Sequence, residues 1–390
     1  MILPKLALRN LLGAGLRTWL NVIVLSFAFI LIIWSQGLYE GVYAQAERAS
    51  VDIIMGGGQY WQQKYDPLDI LSLEDAHAVV PDSLRAMIDA GRATPILVVQ
   101  GTLYPKGRIH PVLIKGIDPD QKLLSLPSEF LTAGEERVPA LIGSRMARST
   151  GLAVGDTVTL RWRDVKGAFD ARDVEIVQVM KTIVQSVDQG QIWVPLKNLR
   201  AWAGMEGEAS LVVVERDAAE RPQVTGWVFR DLDFLLNDVR QLVQMKTAGA
   251  TIFYVVLILL AMLAIFDTQV LSIFRRRKEM GTLMALGFTR GRVIRLFTLE
   301  GALHGVLAAL VAALYGVPLL TWFARAGWAM PAGMDSYGLA IGDKIFPMYS
   351  AGLVAATTLL VLVITTIVSY LPTRKIAKLK PTDALRGRMS

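Results

Sequence analysis

The sequence predicts an α-helical membrane bundle of four transmembrane helices, with a large α+β periplasmic domain inserted between helices 1 and 2 on helical stalks. Three observations carry this. Apolar runs near Thr18–Tyr39, Gly249–Phe274, Gly301–Ala324 and Phe346–Leu371 each reach the ~20 residues needed to cross a hydrocarbon core of ~30 Å. About 210 residues separate the first run from the second, whereas only short loops join the others. Charge then divides by compartment. The flanks before run one, between runs two and three and after run four hold sixteen Lys and Arg against only Glu279, Glu300 and Asp383. The stretch Tyr39–Lys246 instead holds 23 Lys and Arg against 28 Asp and Glu. By the positive-inside rule both termini and the middle loop are cytoplasmic, and the acidic stretch lies outside.

In chain order the expected segments begin with an amphipathic cytoplasmic N-terminus (1–17), span one (18–39) and the periplasmic domain with its stalks (40–248). Span two (249–274), a cytoplasmic loop (275–300), span three (301–324), a short periplasmic loop (325–345), span four (346–371) and a cytoplasmic tail (372–390) follow. Span one exceeds the ~7–15 residues of a signal-peptide core, so an uncleaved anchor is expected despite the small-x-small Ala44-Gln45-Ala46. Its stripe continues through Leu38, Val42 and Ala49 to about Ser50. On the return, Leu232, Leu235, Leu236, Val239, Leu242 and Val243 keep helical spacing into span two. These are the expected stalks; two surface helices packed on the domain are the alternative.

Between the stalks, β-rich runs recur at Pro95–Leu103, Pro111–Ile117, Asp156–Trp162, Val174–Val184, Gln191–Val194 and Ser210–Glu215. Helical stretches fall at Pro81–Ala90, Ser144–Thr150 and Leu196–Trp202, with Gly and Pro at the joins. The pattern is α+β, in one or two lobes. The chain contains no cysteine, so disulfides and thiolate metal sites are excluded. The basic surplus reads as topology plus attraction to anionic lipid, and nucleic acid is not an expected partner.

Catalytic motifs are missing. No G-x-x-x-x-G-K-[ST] occurs; Gly56-Gly57-Gly58 is followed by Gln59-Tyr60-Trp61, and a flexible loop is expected there. His77, His110 and His304 are too scattered for H-E-x-x-H, and no G-x-S-x-G elbow is present. Glu135-Glu136 and Asp118/Asp120 read as solvated turns. Within the spans, Asp267, Glu300 and His304 are functional candidates by cost alone. Their nearness to the cytoplasmic side favours simple solvation.

The segment Phe274-Arg-Arg-Arg-Lys-Glu279-Met-Gly281-Thr-Leu-Met-Ala-Leu286-Gly287-Phe-Thr-Arg290 resembles R-R-x-E-I-G-x-L-x-A-L-G, a motif of the permease family that includes FtsX, MacB, LolC and LolE. Leu6-Ala-Leu-Arg-Asn-Leu11 and Pro372-Thr-Arg-Lys-Ile-Ala-Lys-Leu-Lys-Pro381-Thr-Asp-Ala-Leu-Arg386 resemble the family's two ends, and Leu141-Ile-Gly-Ser-Arg-Met-Ala-Arg with Gly151–Thr159 is similar to its periplasmic core. Met280 stands where Ile is usual and Asp383 where Glu is usual.

The resemblance implies a permease subunit of the bacterial inner membrane, its outer domain periplasmic, that is not itself an enzyme and carries no cofactor, with ATP and Mg held by a partner, a cytoplasmic ABC ATPase dimer. It assigns ATPase coupling to Arg277, Lys278, Glu279, Met280, Gly281, Leu283, Leu286 and Gly287. On physical grounds Met280, Leu283, Met284 and Leu286 form a compact apolar docking surface. It assigns transmission to the stalk residues Leu235, Leu236, Val239, Leu242 and Val243. A second permease copy or paralogue completes the complex. Lipoprotein, a periplasmic chaperone or adaptor, and membrane lipid are further partners. Lipoprotein release is the leading expectation, and efflux through an outer-membrane duct its alternative within the family. A ligand-sensing receptor signalling through a partner is the alternative from another class.

Overall fold

The computed structural model describes residues 15–132, 137–216, 221–241, 277–329 and 344–376, together with 252, 255–256, 259–260, 263, 266–267 and 270–271. They fall into two units. One is built on Tyr43–Val243, and the other on Met1–Val42, Gln244–Ala329 and Lys344–Ser390.

The strands of the first unit are β1 (Gln59–Gln62), β2 (Ala78–Val79), β3 (Ala93–Tyr104), β4 (His110–Ile117), β5 (Val138–Gly143), β6 (Thr157–Arg163), β7 (Phe169–Met180), β8 (Gln191–Pro195), β9 (Glu208–Ala209), β10 (Leu211–Val214) and β11 (Trp227–Arg230). The main sheet runs β11-β1-β10-β3-β4-β8-β5-β7-β6, and β6 returns to pair with β3. That last pairing closes β3-β4-β8-β5-β7-β6 into a six-stranded barrel. The long strand β3 makes this possible by changing partners along one edge. Its Ala93–Ile96 half pairs with β10 and its Gly101–Tyr104 half with β6, while β4 lies along the other edge. Gly101 sits at the changeover, where a Cβ would meet the Ile114 side chain and the Arg161 carbonyl. A strand corner of this kind requires glycine.

Alternation fills the barrel. In β6, Val158, Leu160 and Trp162 are buried, whereas Thr157, Arg161 and Arg163 are exposed, the period of two that a pleated strand imposes. The same core takes Met146 and Ala147 from the helix Ser144–Thr150, and Leu199 and Trp202 from the helix Leu196–Ala203. Trp162 stacks on Trp202 at 5.0 Å and donates Nε1–H to the Trp202 carbonyl at 3.2 Å. Burying side chains of this size stabilises the fold by roughly 1.5–3 kcal/mol each.

The opposite face of β3, β4 and β8 carries a second core, including Ile96, Val98, Trp193 and Leu141. Lys115 points into this face, only 5% exposed, with its Nζ 5.1 Å from the centre of the Trp193 ring. Burial lowers its pKa to about 8 from an ordinary 10.5. At pH values between these two the unfolded chain holds the proton and the folded chain does not, so stability rises with pH through that window. Below about pH 8 the full cost of the buried charge is present. Lys115→Met is therefore expected to raise stability at pH 7 by about 1–3 kcal/mol and to flatten the rise from pH 8 to 10.5. Denaturation of wild type and variant at pH 7 and pH 10 reads this, and a variant less stable at pH 7 refutes it.

The expected strands are found, with differences. The run Val174–Val184 begins earlier and ends earlier, as Phe169–Met180. Three main-sheet strands, β1, β5 and β11, were not anticipated. Gly56-Gly57-Gly58 is no flexible loop: all three are buried. Gly57 N donates to the Val214 carbonyl at 2.7 Å, and Gly56 and Gly58 take φ of 58° and 130°. Asp118 and Asp120 do form an exposed turn, with Asp120 N donating to Asp118 Oδ1. Glu135 and Glu136 lie outside the described residues.

Three helices among the described residues are long and apolar enough to cross a membrane, over Val22–Met55, Arg290–Ala326 and Ala351–Arg374. The expected span 249–274 lies largely outside the described residues; those described within it are helical. Span one belongs to a continuous helix, Leu16–Ser50. Span three starts earlier than expected, inside Arg290–Ala326, so the loop 275–300 is itself largely helical. Span four starts later, in Ala351–Ile376, and continues past Leu371. Between them Trp328–Ala329 pairs with Lys344–Ile345.

Within this unit, Val22, Leu25, Phe29 and Ile33 pack with Ala308, Ala312 and Leu320. Small residues permit close approach: a Cβ on Gly305 would meet Thr365, and one on Gly316 would meet Ile30. Several hydroxyls pair within the helices, which lowers their cost in lipid, while Trp34 Nε1 and the Tyr349 hydroxyl are buried without a hydrogen-bond partner among the described residues. Thr357 Oγ1 donates to Gln36 Oε1 at 3.0 Å, and Thr366, Ser369 and Thr373 hydroxyls donate to carbonyls four residues back.

Candidate functional site: a capped hairpin and a clamped stalk candidate

The segment expected to couple to an ATPase folds as a helix-turn-helix whose turn is dictated by its residues. The helix Arg277–Ala285 ends at Gly287, with φ of 93°. Phe288 N donates to the Leu283 carbonyl at 3.0 Å and Gly287 N to the Met284 carbonyl at 3.1 Å. This is a Schellman closure, which calls for glycine at the left-handed position and an apolar contact across the closure. Phe288 and Leu283 provide that contact, packed with Met284 on buried Val293 and Phe297. Thr289 then caps the next helix, its side chain accepting from Arg292 N at 3.4 Å.

This geometry redistributes the expected docking surface. Leu283 and Met284 are half-buried inside the hairpin rather than presented outward. Leu286, at the turn, is 75% exposed. Glu279 is exposed and Gly281 buried. Arg277, Lys278 and Met280 lie in the helix, but their side chains are outside the described residues. Glu300 is 7% exposed, and His304 Nδ1–H donates to the Glu300 carbonyl at 2.9 Å. Asp267 is helical and exposed. Among the described residues no group of three His, Asp or Glu is placed to hold a metal ion.

The stalk candidates form the other assembly. Residues 232–241 are helical. Leu235 and Leu236 are buried against Met55, with Val239, Leu232, Val51 and Ile54 around them. Leu242 and Val243 lie outside the described residues. Where the long helix ends, Val51–Met55 forms a π-helical turn. The widened turn leaves the Asp52 carbonyl to accept from Ser125 N at 2.7 Å, and the Asp52 carboxylate pairs with Arg216. Arg240 bridges the two stalk segments, with Nε 2.8 Å from Glu47 Oε1 and Nη1 3.3 Å from Asp233. Sequence reading missed these polar ties. The spacing Asp233…Arg240, two helical turns, was their one visible trace.

Comparison with known proteins agrees in two independent regions. Residues 20–226 match a MacB-like periplasmic core domain, and residues 251–381 match the FtsX-like permease C-terminal domain. An uncharacterised ABC transporter permease of Methanocaldococcus jannaschii is 25% identical over 60% of this chain, and the match spans 58% of that relative's length. The lipoprotein-releasing system transmembrane protein LolC of Neisseria meningitidis serogroup B is 23% identical over 75% of this chain and 77% of its own. The macrolide export ATP-binding/permease protein MacB of Sodalis glossinidius is 27% identical over 63% of this chain but 34% of its own.

Proposed function

The chain belongs to the family of FtsX-like, MacB-like ABC transporter permeases, and from that premise we propose that it couples a separate cytoplasmic ATPase dimer to the release of lipoprotein from the bacterial inner membrane. The observation that carries this reading is the capped hairpin. A segment rich in Arg and Lys is closed into a rigid turn, and the turn presents a single apolar side chain, Leu286, that nothing in its own cluster needs. Interface energy concentrates in such anchors. ATP and Mg belong to the partner in this reading, and two permeases, as two copies or as paralogues, match a two-fold ATPase. Both termini and the hairpin are cytoplasmic and Tyr43–Val243 periplasmic, following the partition of charge.

Lipoprotein release is preferred to duct-coupled efflux because the LolC relative aligns over most of both chains, whereas the MacB relative is much longer than the region it shares. The stalk supplies the test. Val239→Gly removes a packed side chain beside Leu235 and Leu236 and costs about 1 kcal/mol in helix propensity besides the lost contact. In proteoliposomes with the cognate ATPase and an acylated lipoprotein, the variant is expected to hydrolyse ATP near the wild-type rate and to release several-fold less lipoprotein, on the order of the ~1–2 kcal/mol removed. Full release by a variant present at normal abundance contradicts transmission through this helix. Failure of the wild-type complex to release lipoprotein, with ATP hydrolysed, favours efflux.

A further inference from the structure

The unit built on Tyr43–Val243 contains a cleft of about 800 Å³, within the ~300–1,000 Å³ usual for small-molecule sites. Its floor is the outer surface of the barrel, where β3, β4 and β6 meet, and the short 3₁₀ turn Ile70–Glu74 borders it. Gln100 on β3 holds that turn, its Nε2 donating to the Ile70 carbonyl at 2.5 Å. Apolar walls come from Ile70, Leu113 and Phe169, the last 65% exposed.

The charges in the cleft are unequally committed. Glu74 is bound to Arg163 at 3.0 Å and Asp75 to Lys64 at 3.3 Å. Asp164 Oδ1 accepts from Lys166 N at 2.9 Å and Ala168 N at 2.7 Å. Glu74 and Asp75 are thus paired with cations, and Asp164 turns one oxygen onto backbone N–H groups. Among the described residues, Arg161 and Lys166 have no carboxylate partner. The Arg161 guanidinium lies over the Phe169 ring at 4.2 Å, its Nη1 3.3 Å from the Tyr104 hydroxyl. What the cleft offers a ligand is therefore positive charge beside apolar surface, with a guanidinium already oriented by an aromatic face.

We propose that this cleft binds an amphiphilic anion: an apolar body carrying one sulfate, phosphate or carboxylate head, seated between Phe169 and Leu113 with its head at Arg161 and Lys166. The proposal goes beyond the transporter reading: it assigns this unit a ligand class of its own, whatever cargo the complex releases. Arg161 supplies a bidentate contact and Lys166 a point charge.

Because the chain has no cysteine, Val165→Cys at the cleft wall can carry a single bimane that reports local occupancy rather than partition into lipid. The full chain in zwitterionic nanodiscs, without ATPase, is titrated with octyl sulfate and with octyltrimethylammonium, which share a tail and differ in head charge. Octyl sulfate is expected to shift the fluorescence saturably and to bind at least about tenfold more tightly than the cation, one charge-assisted contact's worth. Arg161→Glu/Lys166→Glu is expected to reverse that order. Phe169→Ala, which keeps both cations, is expected to weaken both ligands and preserve the preference. Equal affinity for the two heads, no saturable shift with octyl sulfate, or an unchanged preference in the double charge variant overturns the proposal. Since no ATPase is present, each of these results is independent of whether the hairpin couples to one.

Discussion

Leu286→Asp is expected to abolish association with the ATPase while leaving the permease folded and at normal abundance in the membrane. Leu286 is the exposed apolar residue of the hairpin turn, and no residue of the hairpin cluster depends on it. If it seats in a partner pocket, an aspartate there is a buried carboxylate without a partner, at a cost of several kcal/mol, or about a thousandfold in affinity. Leu283→Asp would lower association too, for a different reason. Leu283 is the apolar contact of the Schellman closure, packed with Phe288 on Val293 and Phe297, so its loss opens the hairpin and reduces abundance. Pull-down of the ATPase, normalised to permease in the membrane, separates the two. A Leu286→Asp chain that still recovers the ATPase at wild-type yield removes the hairpin from the interface and with it the main support for coupling.

That distinction shows where sequence reading reaches its limit. The motif Arg277–Gly287 was visible, but the role of Gly287 as the left-handed stop of its helix was not drawn from it. Which apolar residue faced outward was not visible. That depends on Val293 and Phe297 returning along the next helix to cover Leu283, and the expected loop at 275–300 hid that helix. Spans one, three and four were legible because length and apolarity decide them. The barrel was not. Its closure depends on β3 pairing with β6 some sixty residues later, a nonlocal contact with no local periodicity. The strand β5 was obscured by Pro139 and Gly143 at its ends. The glycine triplet was misread because three glycines in sequence look the same whether they are mobile or pressed against Val214 and Phe229. The cleft stayed hidden for a related reason: Arg161 and Phe169 meet only because β6 and β7 pair in register across Arg161↔Ala171 and Arg163↔Phe169.

The second large effect is expected at Asp188, which is 1% exposed. Its Oδ2 lies 3.2 Å from Arg145 Nε, and its Oδ1 accepts from Ser144 Oγ at 3.1 Å and Arg145 N at 3.0 Å. Thus a carboxylate from the helix Gln185–Gln189 caps the N-terminus of the helix Ser144–Thr150, where the preceding Gly143 has no side chain to do so. Gly143 is itself required, because a Cβ there would overlap the Asp188 backbone. Asp188→Ala removes a cap and strips a buried guanidinium of this carboxylate, a combination that costs about 3–5 kcal/mol. Asp188→Asn keeps an acceptor for the Arg145 amide and is expected to cost less. Adding Arg145→Met to Asp188→Ala is expected to recover part of the loss, since the charge and its partner then leave together. Denaturation of the full chain in nonionic micelles measures all three. If Asp188→Ala unfolds within 1 kcal/mol of wild type, on the order of an exposed ion pair, the pair is not the cap it looks like. Because this site and the hairpin lie in different units, the destabilised chain should still recover the ATPase while losing lipoprotein release, whereas the Leu286→Asp chain loses the ATPase itself.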